Sequence, residues 1–396
     1  MDLRDLQTPC YILRAEEYDK NIRDFRAAFE SRWDGRVLFG YSVKSNNLPW
    51  LLRRAMDHGF YAELVSPDEL EFAHRCGCKP ERIIYNGPQK RATLLDAARD
   101  GTIVNLDDLS EVEAVCGAFS GTDTVPILGL RVNFDLEACC PGETTVGTQP
   151  GRFGICLENG DLAKAIAMLR EARLPLAGLH MHQSSRTRSR EIFAALTETA
   201  CSIGRDFGLE ELSYVDIGGG FFGGSFFPGK PSFDEYAETI CTGLREFYDP
   251  AKTALILEPG AAILATCMDY LCSVLSIRNV RGTRIVTLDG SLLHINPMMN
   301  PHPTPFTMLD PGAEGGADQI IAGSTCMEMD RFWPRDLHNL AEKNSKFLFH
   351  ACGAYMSVHN SNFINAAPNI YLDEGGKRRL LRKKSLDALF AGNWEG

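Results

Sequence analysis

The sequence predicts an α/β protein: a (β/α)8 TIM-like barrel followed by a mostly β domain. Three observations lead there. Eight short apolar, β-branched-rich runs recur, each followed by a stretch with helical spacing of apolar residues. Strict alternation of this kind implies parallel strands with crossover helices, and eight units fit a closed barrel of about 240 residues. No GxGxxG follows the first run, which weighs against an open doubly wound sheet, and the alternation stops near residue 265.

The eight runs are VLFGYSVK (37–44), AELVS (62–66), RIIYNG (82–87), TIVNLD (102–107), PILGLRVN (126–133), LAGLHMH (176–182), SYVDIGGG (213–220) and ALILEPG (254–260). Amphipathic segments lie between them, among them 67–77, 160–172, 189–208 and 233–249. Residues 26–264 are therefore expected to form the barrel. Residues 1–25 and 265–396 are expected to form the β domain, with YLCSVLSIRNV, TRIVTLDG and SKFLFHACGAYMSV as its β-structure and the proline-rich 296–306 as a loop. The basic run KRRLLRKK (377–384) is expected to be a solvated surface helix.

Composition narrows the function. The chain has 396 residues, is 44% hydrophobic and carries a net charge of −11, so it is globular and poorly suited to nucleic acid or an anionic membrane surface. The opening segment MDLRDLQTPCYIL lacks a basic stretch followed by an apolar one, and no uncharged apolar run approaches the roughly 20 residues that span a bilayer. Thirteen scattered cysteines suggest free thiols in a reducing cytoplasm. Cys76-Gly-Cys78 and Cys139-Cys140 lack a second pair at zinc-site spacing, so no metal is expected.

In barrels of this kind the chemistry sits at the C-terminal ends of the strands. The polar residues collect there: Lys44, Glu63 with Ser66, Asn86, Arg131, His180 with His182, Gly218-Gly219-Gly220 and Glu258. Each alone has a dull explanation as a rim residue or a tight turn; their convergence on one face does not. Successive glycines let backbone N–H groups approach a phosphate. A lysine in a dry pocket becomes a nucleophile toward carbonyls. A buried carboxylate needs a cationic partner, and a histidine can cover a planar ring. Phosphate, aldehyde and a protonatable ring nitrogen together describe pyridoxal 5′-phosphate (PLP).

With these motifs in place, the chain resembles the fold-type III PLP enzymes, the group containing alanine racemase and the ornithine, diaminopimelate and carboxynorspermidine decarboxylases. The resemblance runs from TPCYIL (8–13) to GAYMSVHNSNF (353–363), through YSVKSN, ELVSPDEL, IIYNGPQK, LRVN and GRFGI. It implies that Lys44 carries the cofactor and that Glu63 belongs to the cofactor site. In HMHQSS (180–185) it implies that His182 stacks on the ring and Ser185 meets the phosphate. DIGGGF supplies the phosphate turn Gly218, Gly219 and Gly220, and EPG sets Glu258 on the pyridine nitrogen. Arg131 supports the pocket near His182. STCMEMD (324–330) resembles the motif whose cysteine, here Cys326, reaches a partner subunit's site, and Tyr355 of GAY is a further phosphate ligand. A homodimer with shared active sites is thereby implied.

Three departures bear on substrate. The family's EPGR is EPGA here, so Ala261 stands where an arginine is usual; Ser184 replaces a glycine; Met327 replaces an acid that helps read the far end of the substrate. Asp289, Glu328 and Asp330 are the candidate substitutes as substrate ligands. The expected activity is removal of the α-carboxylate from an amino acid or amino-acid conjugate (carboxynorspermidine-, siderophore-precursor- or diamino-acid-like), with Cys326 or Lys44 returning a proton to Cα. The alternatives are an amino-acid racemase on the same fold and a non-catalytic regulatory homologue. Glutamate rather than arginine at the pyridine nitrogen favours decarboxylation, and retention of Lys44, Glu258, Cys326 and Tyr355 counts against the regulator.

Overall fold

A computed structural model describes residues 2–223, 229–299, 301–359 and 362–387. It divides into two compact units, residues 21–262 and residues 1–20 with 263–396. The first strand, β1 (Cys10–Arg14), belongs to the second unit, and helix α1 (Ala15–Glu30) follows it.

The barrel unit contains β2 (Val37–Ser42), β3 (Tyr61–Leu64), β4 (Ile83–Tyr85), β5 (Ile103–Leu106), β6 (Ile127–Asn133), the two-residue β7 (Ile155–Cys156), β8 (Leu176–His180), β9 (Tyr214–Asp216) and β10 (Ala254–Leu257). All pairings are parallel: β2 to β6 pair in sequence, β6 pairs β8, and β8, β9 and β10 follow in turn. The pairing of β10 with β2 closes the ring of eight, and β7 hangs on β6. All eight expected runs are barrel strands. The helices α2 (Pro49–Asp57), α3 (Pro67–Arg75), α4 (Leu94–Arg99), α5 (Leu109–Phe119), α6 (Leu136–Cys139), α7 (Asp161–Glu171), α8 (Arg190–Phe207), α9 (Phe233–Arg245) and the short α10 (Ala261–Leu264) alternate with them.

Local chemistry fixes the joints. Ser66 caps α3 by accepting from Glu69 N, with Pro67 in the first turn where its missing N–H costs nothing. Ser232 and Glu235 form a reciprocal capping box on α9. Inside the barrel, residues near the strand starts (Tyr61, Ile84, Ile103, Tyr214, Ala254 and Ile256) form an apolar plug. The charged side chains Lys44, Glu63, Asp216 and Glu258 lie toward the opposite, C-terminal ends of the strands. Phe221, directly after the triple glycine, is anchored among Phe25, Phe193 and Tyr236, with ring centroids 4.8–5.2 Å away.

In the other unit β1 pairs antiparallel with β11 (Met268–Val280) and parallel with β17 (Asn369–Glu374). The sheet continues through β12 (Thr283–Leu288), β13 (Phe306–Leu309), β14 (Ile320–Ala322), β15 (Arg331–Phe332) and β16 (Lys346–Phe349), over a core of Leu6, Cys10, Ile12, Leu271, Leu348 and Tyr371. The basic run is a correction: it is not a helix, and Lys377–Arg382 form strand β18 against β17. Gly375 (φ 59°) and Gly376 (φ 71°) are both left-handed, which makes the two-residue hairpin turn whose twist matches the strands. Arg378 then lies opposite Asp373 and donates to it at 2.8 Å. A hairpin partner decides the basic run's conformation, and helical propensity does not.

Candidate active site

Lys44 lies on a single 3-10 turn, Val43–Ser45, just beyond β2 rather than within the strand. Its Nζ donates to Glu63 Oε2, which also accepts from Ser42 Oγ. Glu63 is fully buried on β3. Its other oxygen accepts from Asn86 Nδ2 at 3.0 Å, and the same Asn86 nitrogen donates to Glu258 Oε1 at 2.6 Å. One amide thus spans the two buried carboxylates. The chain of polar groups continues inward: Asn105 Nδ2 donates to Asn86 Oδ1 at 2.8 Å, and Tyr214 OH donates to Asn105 Oδ1 at 2.7 Å. Asn105 Nδ2 also faces Asp216 Oδ2 at 3.3 Å.

Glu258 follows β10, and its backbone N–H donates to Gly218 O at 2.8 Å, tying the carboxylate to the glycine turn. His180 Nε2 stands 3.7 Å from Glu258 Oε2. Burial opposes ionisation of Glu258, but His180, Lys44 and His182 outweigh it and hold its carboxyl below the usual carboxylate range. Gly218 is left-handed (φ 74°), and a Cβ there would stand 2.4 Å from His182 Cβ. Gly219 N donates to His182 Nδ1 at 3.2 Å, which makes Nδ1 the unprotonated nitrogen of that ring. Burial, then Arg131 and His180, push the His182 imidazole well below its ordinary value, so it is neutral at physiological pH. The rings of His180 and His182 are nearly parallel, 12° apart.

Arg131, on β6, donates to Asp107 Oδ1 and to His182 O, both at 3.4 Å, and its guanidinium lies 4.8 Å over the Phe153 ring. Behind it, buried Lys90 Nζ donates to Gly87 O at 2.6 Å and pairs with Glu111 Oε2 at 2.7 Å. Beside Arg131 opens a chamber of about 720 Å³ lined by Thr144, Gln149, Arg152, Phe153, Gln183 and Ser184. Ser185 flanks it, bridged to Thr144.

The remaining expected residues lie in the β unit. Cys326 and Tyr355 are exposed, Tyr355 with a left-handed backbone (φ 66°). Glu328 is solvent-exposed beside Arg331. The other two acids are occupied internally. Buried Asp330 accepts from Leu292 N, Thr325 N and Thr325 Oγ1. Asp289 accepts from Ser273 N at 2.8 Å and Thr8 Oγ1 at 2.5 Å. Asp330 thus closes its own loop as an acceptor, and Asp289 serves a similar internal purpose.

Asn105, Asp216, Tyr214 and the Lys90–Glu111 pair had not been singled out as site residues. An asparagine inside the apolar run TIVNLD and an aspartate directly before three glycines were the available signals.

This geometry fits PLP on grounds internal to the structure. Both ring nitrogens of buried His180 and the Nε of Arg131 lack hydrogen-bond partners, a carboxylate and an amine face one network, and the glycine turn leaves no room for a Cβ. Fold and site together define a PLP-dependent barrel enzyme. The chain belongs to the pyridoxal-dependent decarboxylase family, whose pyridoxal-binding domain matches residues 16–265, and it is a PLP-dependent carboxy-lyase. It is 28% identical over 394 residues to a probable chloroplastic diaminopimelate decarboxylase of Oryza sativa subsp. japonica, covering 96% of this chain and 78% of the relative. It is 25% identical to the diaminopimelate decarboxylase of Zymomonas mobilis, covering 95% and 90%. Among solved structures, diaminopimelate decarboxylase from M. jannaschii in complex with L-lysine superposes with a TM-score of 0.84 at 22% identity, covering 96% and 90% of the two chains. The fold is also that of lysine/ornithine decarboxylase from Vibrio vulnificus complexed with cadaverine (TM-score 0.75, 20% identity, 93% and 96% covered). Among the described residues no helix is long and apolar enough to cross a membrane.

Proposed function

We propose that the chain decarboxylates an amino acid with a second polar end, a diamino acid or an amine–carboxylate conjugate, releasing CO2 and an amine. The observation that carries this reading is the network in which Asn86 joins Glu63, the partner of Lys44, to Glu258. Bound PLP supplies the electron sink for the pair released when the Cα–carboxylate bond breaks. The protein's residues divide the remaining work. Lys44 binds the cofactor, and Glu63 holds its Nζ at the barrel mouth. Glu258 keeps a proton on the pyridine nitrogen. His182, neutral and fixed through Nδ1, covers the ring without competing for that proton. Gly218, Gly219, Gly220 and Ser185 would receive the phosphate, with Tyr355 contributed from the partner's β unit, and Arg131 braces His182 through its carbonyl.

Cys326 or Lys44 would return a proton to Cα in a homodimer whose β unit completes the partner's site, and Glu328, exposed and paired only with Arg331 at 3.4 Å among the described residues, is the acid assigned to reading the substrate. The chamber beside Arg131, with the Gln183 Nε2 buried and unpartnered at its wall, is wide enough for a substrate longer than a small α-amino acid. The relatives named diaminopimelate decarboxylase support the diamino-acid branch, and Met327 and Ala261 in place of the usual acid and arginine support the conjugate branch. The test is CO2 release from a panel of meso-diaminopimelate, lysine, ornithine and carboxylated polyamines. Turnover of one or more supports the reading; loss of optical activity without CO2 release would make the enzyme a racemase.

A further inference from the structure

We propose that Asp216 is a protonated acid that donates a hydrogen bond to the Glu258 carboxylate, and so is the positioning residue that keeps Glu258 singly charged and aimed at the pyridine nitrogen. The proposal rests on the reading of Glu258 given above. Asp216 ends β9 with no exposure to solvent. His180, Asp216 and Glu258 present their polar atoms within 4.8 Å of one another. Two carboxylates facing each other at this range in a dry interior repel strongly, and the pair is stabilised when one of them keeps a proton.

The surroundings decide which one. Glu258 accepts from the Asn86 amide at 2.6 Å and has His180 at 3.7 Å. Among the described residues, Asp216 accepts from the backbone N–H of Gly218 at 2.8 Å on Oδ1 and has a long contact of 3.3 Å from Asn105 on Oδ2. The cations nearby are engaged with other acids, Lys44 with Glu63 and Arg131 with Asp107. From the packed elements the groups facing Asp216 are Glu63 on β3, His180 on β8, Tyr214 on its own strand and Glu258 after β10; no lysine or arginine is among them. Burial, then the Glu258 charge, push the Asp216 carboxyl far above its ordinary value, which agrees with the geometry. Because Asp216 Oδ1 also holds Gly218 N, one side chain ties the phosphate turn to the pyridine end of the site.

Infrared spectroscopy tests this without reference to turnover. In holoenzyme carrying 13C-labelled aspartate, a label-shifted protonated-carboxyl band is expected to persist at neutral pH, where an ordinary aspartate is fully ionised, and to vanish in Asp216→Asn. Asp216→Asn retains a neutral donor of the same shape, so its visible cofactor spectrum is expected to stay wild-type. Asp216→Ala is expected to bind PLP about tenfold more weakly, the scale of one lost charge-assisted hydrogen bond. Absence of the band, or its persistence in Asp216→Asn, overturns the proposal, and these measurements stand even if Asp216→Ala fails to fold. A chain that shows the band yet takes up no PLP would sink the cofactor reading while leaving the protonated Asp216 supported.

Discussion

Asn86 is the joint of the proposed site, and its removal has a calculable cost. Its amide nitrogen donates to Glu63 at 3.0 Å and to Glu258 at 2.6 Å, and both acceptors are buried carboxylates. A hydrogen bond to a charged group contributes about 1.5–3 kcal/mol, so Asn86→Ala forfeits about 3–6 kcal/mol before water entering the vacated space restores part of it. A net loss near 3 kcal/mol lowers the melting temperature by about 6–12 °C in a unit of this size. Asn86→Asp is more diagnostic. It sets a third carboxyl against two, which raises the new group's folded pKa above its unfolded value near 4. A raised folded pKa contributes stability fully below the unfolded pKa and loses it as pH rises toward the folded one. The stability gap between Asn86→Asp and wild type is therefore expected to be small near pH 5 and to widen by up to about 1.4 kcal/mol per pH unit toward pH 8, about 3–6 °C of melting temperature per unit. Differential scanning calorimetry across that range reads it. A gap independent of pH, or an Asn86→Ala loss under 2 °C, would refute the bridging role, since about 1 kcal/mol already shifts a unit of this size by that much.

Three further outcomes follow from the same geometry. Gly218→Ala puts a Cβ 2.4 Å from His182 Cβ at a left-handed backbone position, and spectrophotometric titration should show PLP affinity down at least tenfold, as the about 1–2 kcal/mol of backbone cost adds to the clash. Lys90→Met strands the buried Glu111 carboxylate and should cost about 3–5 kcal/mol in urea unfolding, most of it recovered in Lys90→Met/Glu111→Leu; an additive double variant would contradict the buried pair. Cys326→Ala should lower kcat about 100-fold, the scale of one proton-transfer group, with PLP affinity unchanged; undiminished turnover would remove its assigned role.

The barrel was legible because each strand carries its own signal: an apolar, β-branched run closed by a polar residue where the wall meets the mouth. Lys44, Glu63, His182, Gly218 and Glu258 could be named from that pattern, and the structure brings them into one network. The buried polar groups behind them were harder to read. Asn105 sits mid-strand in β5 and Tyr214 at the start of β9, both in runs that otherwise read as apolar wall, and only closure of the barrel brings them together. The internal roles of Asp330 and Asp289 were hidden for the opposite reason: their positions near a motif suggest a ligand, while their oxygens also accept from nearby backbone and hydroxyl donors that no spacing announces. The hairpin at Gly375-Gly376 was a readable turn signal, overridden by the density of basic residues beside it.

The central claim is that Lys44, beside Glu63, is where the cofactor bonds to this chain. Borohydride treatment of the purified holoenzyme, followed by proteolysis and mass spectrometry, tests it directly. A pyridoxyl mass on the peptide containing Lys44, with Lys44→Ala colourless and unlabelled, is the result the geometry requires. A pyridoxyl label on any other lysine, or a Lys44→Ala protein that stays yellow and reducible, would contradict it.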